Sequence, residues 1–172
     1  PDILTGYNIL YFDIKFMQGR AEKLACQRFW NFGRIADEKV RFKLKKLESS
    51  ALSQNFLSYW IMSGRIIVDP FLIIKKTKSL SSYTLNNVSK EFLSEEKVDM
   101  PISRLFDSVN ASTSTPETRR EVAIYCIQDG HLPLRLNDAL VIITNLVEES
   151  RCTFTQIDDL IVRGQQIKVI QQ

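Results

Sequence analysis

The sequence predicts an α/β fold, with a few short strands set among a larger number of helices. Three features carry that expectation. Ile3-Leu4-Thr5 is a short apolar run closed by Gly6. Arg41-Phe-Lys-Leu-Lys-Lys-Leu47 alternates polar and apolar residues, the period of a strand with one wet face. Thr115-Pro116-Glu117 offers a capping hydroxyl, a proline at the first helical position and an acid in the first turn.

The bulk properties bound the rest. With 172 residues, 44% hydrophobic and 25% charged, the chain is one domain's worth and long enough to bury a core. A net charge of +3 does not by itself select a nucleic acid as partner. The chain opens on Pro1-Asp2, so a piece of a longer product is expected, with no basic stretch ahead of an apolar run as in a signal peptide. No apolar run approaches about 18 residues, so no membrane contact is expected. Cys26, Cys126 and Cys152 show no paired spacing and suit a reducing compartment. His131 is the only histidine, which excludes multi-histidine metal sites.

In chain order, Ile3–Thr5 is the first strand and Gly6 and Asn8 break it. A helix is expected over 13–24, with Ile14, Met17 and Ala21 on its buried face. Strands are expected at 57–62 and 65–68, joined as a hairpin by Ser63-Gly64. The charge run over 39–46 reads as a solvated strand face, or alternatively as a basic hairpin touching nucleic acid. Asp69 reads as a cap, with Pro70 at the first position of a helix. Ser82 is the expected cap of the next helix, which carries Leu85, Val88 and Phe92. Residues 97–104 read as a connection or short helix, and 109–116 as a polar loop. The helix opened by Thr115 is expected to end near Gly130. A separate helix follows over 132–149, with Pro133 in its first turn. Thr155 is expected to cap a last short helix ending at Gly164.

Two places hold candidate chemistry. Tyr125 and Asp129 are four apart, which on a helix puts them on one face about 6 Å from each other. Such a pair can hold a metal ion and a phosphate oxygen, or can be an exposed pair without a role. Asp13 stands in a helix's first turn, where an acid often only complements the dipole. His131 reads as a surface or packed histidine, and Cys126 as a small packing residue.

At Gly6-Tyr-Asn-Ile-Leu-Tyr-Phe-Asp13 and Tyr125-Cys-Ile-Gln-Asp129, the chain resembles the 3′→5′ exonuclease domain of family B DNA polymerases. The first stretch is similar to the family's second exonuclease motif and the other to its third. Gly64-Arg-Ile-Ile-Val-Asp69, Ser82-Tyr-Thr-Leu-Asn-Asn-Val-Ser89, Leu132-Pro-Leu-Arg-Leu136 and Arg163-Gly-Gln-Gln-Ile-Lys-Val169 resemble its connecting segments, in the same order. The set is most similar to the delta-type enzymes of eukaryotes and large DNA viruses. It covers nearly the whole chain, weakly at 34–62 and 94–116.

The resemblance implies a partial ribonuclease H-like exonuclease fold with a β-hairpin insertion and a helical C-terminal part. Residues 1–150 would be the exonuclease domain without its leading strands and first motif, and 151–172 the connection toward the polymerase palm. Asp13 and Asp129 would be metal ligands, and Tyr125 would orient the attacking water or a phosphate oxygen. Asn8 and Phe12 would touch the terminal nucleotides of a single-stranded 3′ end, where aromatic stacking tolerates any base. The implied cofactors are two Mg²⁺ or Mn²⁺ ions, which prefer hard oxygen ligands. Implied partners are DNA, the rest of the polymerase chain, and a sliding clamp and accessory subunits. The implied location is the nucleus or a viral replication site.

The chain departs from the family in one respect. The family's first motif, Asp-x-Glu, precedes the second, and no such triplet stands among the 12 residues before Asp13. Two of four metal carboxylates would then lie upstream, and this segment alone is expected to be inactive. The alternative readings are an exonuclease-like module without metals, serving as scaffold or DNA-binding surface, and an unrelated α/β domain.

Overall fold

The structure is a computed structural model that describes residues 1–47, 55–95, 100–110 and 112–163. It is mixed α/β and divides into two compact units. One is Pro1–Lys78 with the chain from Ile143, and the other is Ser79–Ile142.

In the first unit, β1 (Ile3–Thr5) lies parallel to β4 (Ile66–Val68), with Ile3 opposite Ile66 and Thr5 opposite Val68. Between them run α1 (Asp13–Lys23) and an antiparallel hairpin of β2 (Arg41–Leu47) and β3 (Asn55–Ile61). The expected hairpin across Ser63-Gly64 is therefore not formed. Gly64 takes φ 74, a left-handed turn, and Arg65 N donates to Met62 O at 3.3 Å. That reversal sends β4 to β1 instead of back along β3. The basic run meets the expectation of a solvated face, with Lys39, Arg41, Lys43 and Lys46 exposed.

The core of this unit is Leu10, Ile14, Leu57, Val68, Leu72 and Ile74. α1 turns Ile14, Gln18 and Ala21 inward, the i, i+4, i+7 stripe. Met17 was expected there and is exposed instead. Gln18 replaces it because Trp60 Nε1 donates to Gln18 Oε1 at 3.3 Å, so the amide enters the core with a partner. Phe29, Phe32 and Trp60 pack edge to face with centroids 5.0–5.7 Å apart. α2 (Pro70–Thr77) starts at Asp69 and Pro70 as expected, and Asp69 accepts from Phe71 N.

α6 (Ile142–Thr153) and α7 (Ile157–Val162) complete the unit. Thr155 is not the cap of α7: that position is Gln156, and Thr155 Oγ1 donates to Thr153 O at 3.2 Å. The other end of α7 is held by lysines. Lys45 Nζ donates to Val162 O at 3.0 Å and Lys76 Nζ to Ile161 O at 2.8 Å. Cations on terminal carbonyls offset the negative helix end. The expected stop at Gly164 lies outside the described residues.

The second unit is helical. α3 (Leu85–Leu93) is capped by Thr84, whose hydroxyl accepts from Asn87 N, and not by Ser82. Ser82 still helps, because its carbonyl accepts from Asn87 Nδ2 at 2.7 Å. α4 (Ile102–Val109) and α3 both pack on α5 (Pro116–Ala139). Thr115 caps α5 as expected, with a reciprocal bond to Thr118.

α5 corrects one reading. It does not end near Gly130 but runs 24 residues, through Gly130 and Pro133. Leu132 and Leu136 are almost fully buried. Their burial contributes about 3–6 kcal/mol together. The penalty for a mid-helix glycine and proline is about 4 kcal/mol. Packing is therefore comparable to the penalty and offsets it. The helix stops at Leu140, where Val141 turns left-handed at φ 52. Among the described residues, no helix is long and apolar enough to cross a membrane.

Candidate active site

The first group of predicted residues sits at the loop joining β1 to α1. Asn8 takes φ 64, a conformation that asparagine tolerates better than most residues. Its carbonyl accepts from Tyr11 N at 3.4 Å and Phe12 N at 3.3 Å, and Ile14 N donates to Ile9 O at 3.0 Å. These bonds wind the chain directly into α1, with Phe12 at the cap position and Asp13 as the first helical residue. Leu10 is 1% exposed, and its carbonyl accepts from Ser58 N on β3 at 2.8 Å.

The loop is also held from the other side. Asn8 N donates to Asp69 Oδ1 at 2.9 Å and Leu10 N to Asp69 Oδ2 at 3.1 Å. Asp69 Oδ1 accepts from Phe71 N as well, at 3.1 Å. Tyr7 and Tyr11 each meet the Phe71 ring edge on, at 5.6 and 6.0 Å. Burial pushes Asp69 up to about 6, against the three N–H donors that favour its charged form. Burial, and then the Asp69 charge, raise Tyr7 and Tyr11. Burial also raises Asp13, against a bond from its own backbone N–H.

Three predicted residues thus share one loop: Asn8, Phe12 and Asp13. Asn8 Oδ1 is sealed from solvent, with no hydrogen-bond partner among the described residues. Phe12 is 66% exposed and lies parallel to Phe16, itself 64% exposed, with centroids 6.3 Å apart. Both rings line a groove of about 590 Å³ with Tyr11, Lys15, Gly19, Arg20 and Lys23. The sequence reading missed this second ring and the three cations. The i, i+4 spacing of Phe12 and Phe16 was the signal available.

Tyr125 and Asp129 are the other predicted pair. Both are half-buried, one turn apart in the middle of α5 and not at a helix end. Asp129 Oδ1 is sealed from solvent. Cys126 is exposed, so it is not the packing residue expected, and His131 is exposed as well. Asn8, Phe12 and Asp13 belong to the first unit, and Tyr125 and Asp129 to the second. Among the described residues, no group of three or more His, Cys, Asp or Glu is placed to hold a metal ion.

Residues 1–88 match the family described as DNA polymerase family B, exonuclease domain. The chain belongs to this family. The matched span contains β1, the Asn8–Asp13 loop, the hairpin, β4, Asp69 and the first turn of α3. A mixed α/β chain with small sheets is consistent with the ribonuclease H-like fold expected of the family. The chain is also 40% identical over 172 residues to the DNA polymerase delta catalytic subunit of Drosophila melanogaster. It is 42% identical to that of Plasmodium falciparum (isolate K1 / Thailand) and 40% to that of Glycine max. All of this chain is covered in each case, but only 15–16% of the relative. The delta-type resemblance is thereby borne out, and the reading as an unrelated domain is removed.

Proposed function

We propose that this chain is the proofreading 3′→5′ exonuclease segment of a DNA-directed DNA polymerase that replicates DNA. The observation that carries the reading is the Asn8–Asp13 loop, inside the family match, with an acid at the start of α1 beside an exposed aromatic stack. On this reading Asn8 and Phe12 hold the terminal nucleotides of a single-stranded 3′ end. Phe12 and Phe16 supply flat faces that stack on any base, and Lys15, Arg20 and Lys23 face the phosphates.

Asp13 and Asp129 would hold divalent ions, with further carboxylates from outside this segment. The donor set fits Mg²⁺ or Mn²⁺ in kind, being carboxylate oxygens without thiolate or imidazole. Bound there, the ions would supply charge stabilisation and an acidified water. Tyr125, one turn from Asp129, would orient that water or a phosphate oxygen. We further propose that the β2–β3 hairpin is an insertion in the ribonuclease H-like fold, and that 151–172 leads toward the polymerase palm. The remaining proposals are the rest of the polymerase chain, a sliding clamp and accessory subunits as partners, and the nucleus, or a viral replication site, as location.

The test is Asp13→Ala in the full polymerase. The expected result is loss of 3′ excision with nucleotide incorporation retained. Equal loss of both activities would overturn the assignment. The alternative reading is a scaffold or DNA-binding module without metals. That reading predicts 3′-end binding without Mg²⁺-dependent excision in the full polymerase.

A further inference from the structure

We infer that Asp69 is a positioning residue for the Asn8–Asp13 loop, pinning the turn that presents Asp13 without touching substrate itself. The inference rests on the exonuclease reading above. Asp69 is 0% exposed. A helix cap needs only the bond from Phe71 N. The other two bonds come from residues 61 and 59 positions earlier, and they contribute nothing to α2. They tie the end of β4 to the loop. Leu10 is held at both of its backbone polar groups, N–H to Asp69 and C=O to Ser58 N. The turn that begins at the Asn8 carbonyl then reaches Asp13 within five residues. A release at Asn8 or Leu10 therefore moves the carboxylate of Asp13, and displacement of a catalytic group by about 1 Å can cost ~100-fold in rate.

The two roles of Asp69 are separable by side-chain length. Serine is a good helix cap. In Asp69→Ser the shorter hydroxyl can still serve Phe71 N but cannot span to both Asn8 N and Leu10 N. Asp69→Asn keeps the length and one acceptor oxygen, but sets an N–H₂ group against a backbone donor.

Both variants are made in the full polymerase beside Asp13→Ala, and excision of a single-stranded oligonucleotide with Mg²⁺ is measured against nucleotide incorporation. The expected result is a fall in excision kcat of ~100-fold for Asp69→Ser, and a smaller fall for Asp69→Asn. KM for the oligonucleotide rises by much less than kcat falls, and the incorporation rate stays within about twofold of wild type. Wild-type excision kcat in Asp69→Ser overturns the inference. So does a parallel loss of excision and incorporation, or recovery of both variants unfolded, since Asp69 would then be structural only. Retained excision in Asp13→Ala instead overturns the exonuclease reading itself, whatever Asp69 does.

Discussion

Gly130→Ala tests the continuity of α5, on which the placement of Tyr125 and Asp129 depends. Gly130 is exposed in the middle of the 24-residue helix, and a Cβ built there meets nothing within 4 Å. With helical backbone and open space, the substitution removes only the entropy that glycine loses on folding. The expected gain is about 1 kcal/mol. For 172 residues, an unfolding entropy of about 2.1 cal/mol/K per residue sums to roughly 0.36 kcal/mol/K, so the melting temperature should rise by about 3 °C. The assay is urea and thermal unfolding followed by circular dichroism at 222 nm. Amide exchange across 126–134 should slow in parallel. The competing picture is a helix that stops at Gly130 in a left-handed turn, where a Cβ is strained. In that case Gly130→Ala destabilises by about 1 kcal/mol. A lower midpoint would refute the continuous helix and put Asp129 at a frayed end.

Other outcomes follow from the same geometry. Thr115→Ala removes one half of the reciprocal cap and should cost about 1 kcal/mol in the urea midpoint. Asp69 has a folded value of about 6 against an ordinary 3.8, so the folded state keeps a proton that the unfolded chain releases. Its contribution is full below about pH 4 and is lost as pH rises through 6, by about 3 kcal/mol. Wild-type stability should fall more steeply over that window than that of Asp69→Asn, and parallel profiles would refute it. Phe16→Ala should weaken single-stranded DNA binding by about 1–3 kcal/mol, read by fluorescence anisotropy, with folding stability nearly unchanged. Unaltered affinity would remove Phe16 from the strand's path.

Two helix starts were legible from local sequence. Asp69-Pro70 and Thr115-Pro116-Glu117 open helices as expected, because a cap and its first turn are contacts between residues two or three apart. Asp13 stands in the first turn of α1, where an acid complements the helix dipole. The misassigned caps, Ser82 and Thr155, each lie one or two residues from the true one. At α3 the neighbouring Thr84 hydroxyl takes the cap in place of Ser82, and α7 starts at Gln156 with no side-chain cap bond.

The errors share a cause. Ser63-Gly64 is a genuine turn, yet which strand β4 joins depends on β1, more than sixty residues earlier. Gly130 and Pro133 are helix-breaking by propensity, and the burial of Leu132 and Leu136 overrides them. Met17 has the right spacing for the core and loses its place to Gln18, because Trp60 supplies a hydrogen bond from another element.

By itself, then, the sequence determined the family, the starts of α2 and α5 and the candidate residues Asn8, Phe12, Asp13, Tyr125 and Asp129. These depend on short spacings and motif order. Only the tertiary structure decided strand pairing, the length of α5 and the bonds from Asn8 and Leu10 to Asp69. Those depend on hydrogen bonds and apolar burial between residues far apart in the chain, which no local pattern encodes.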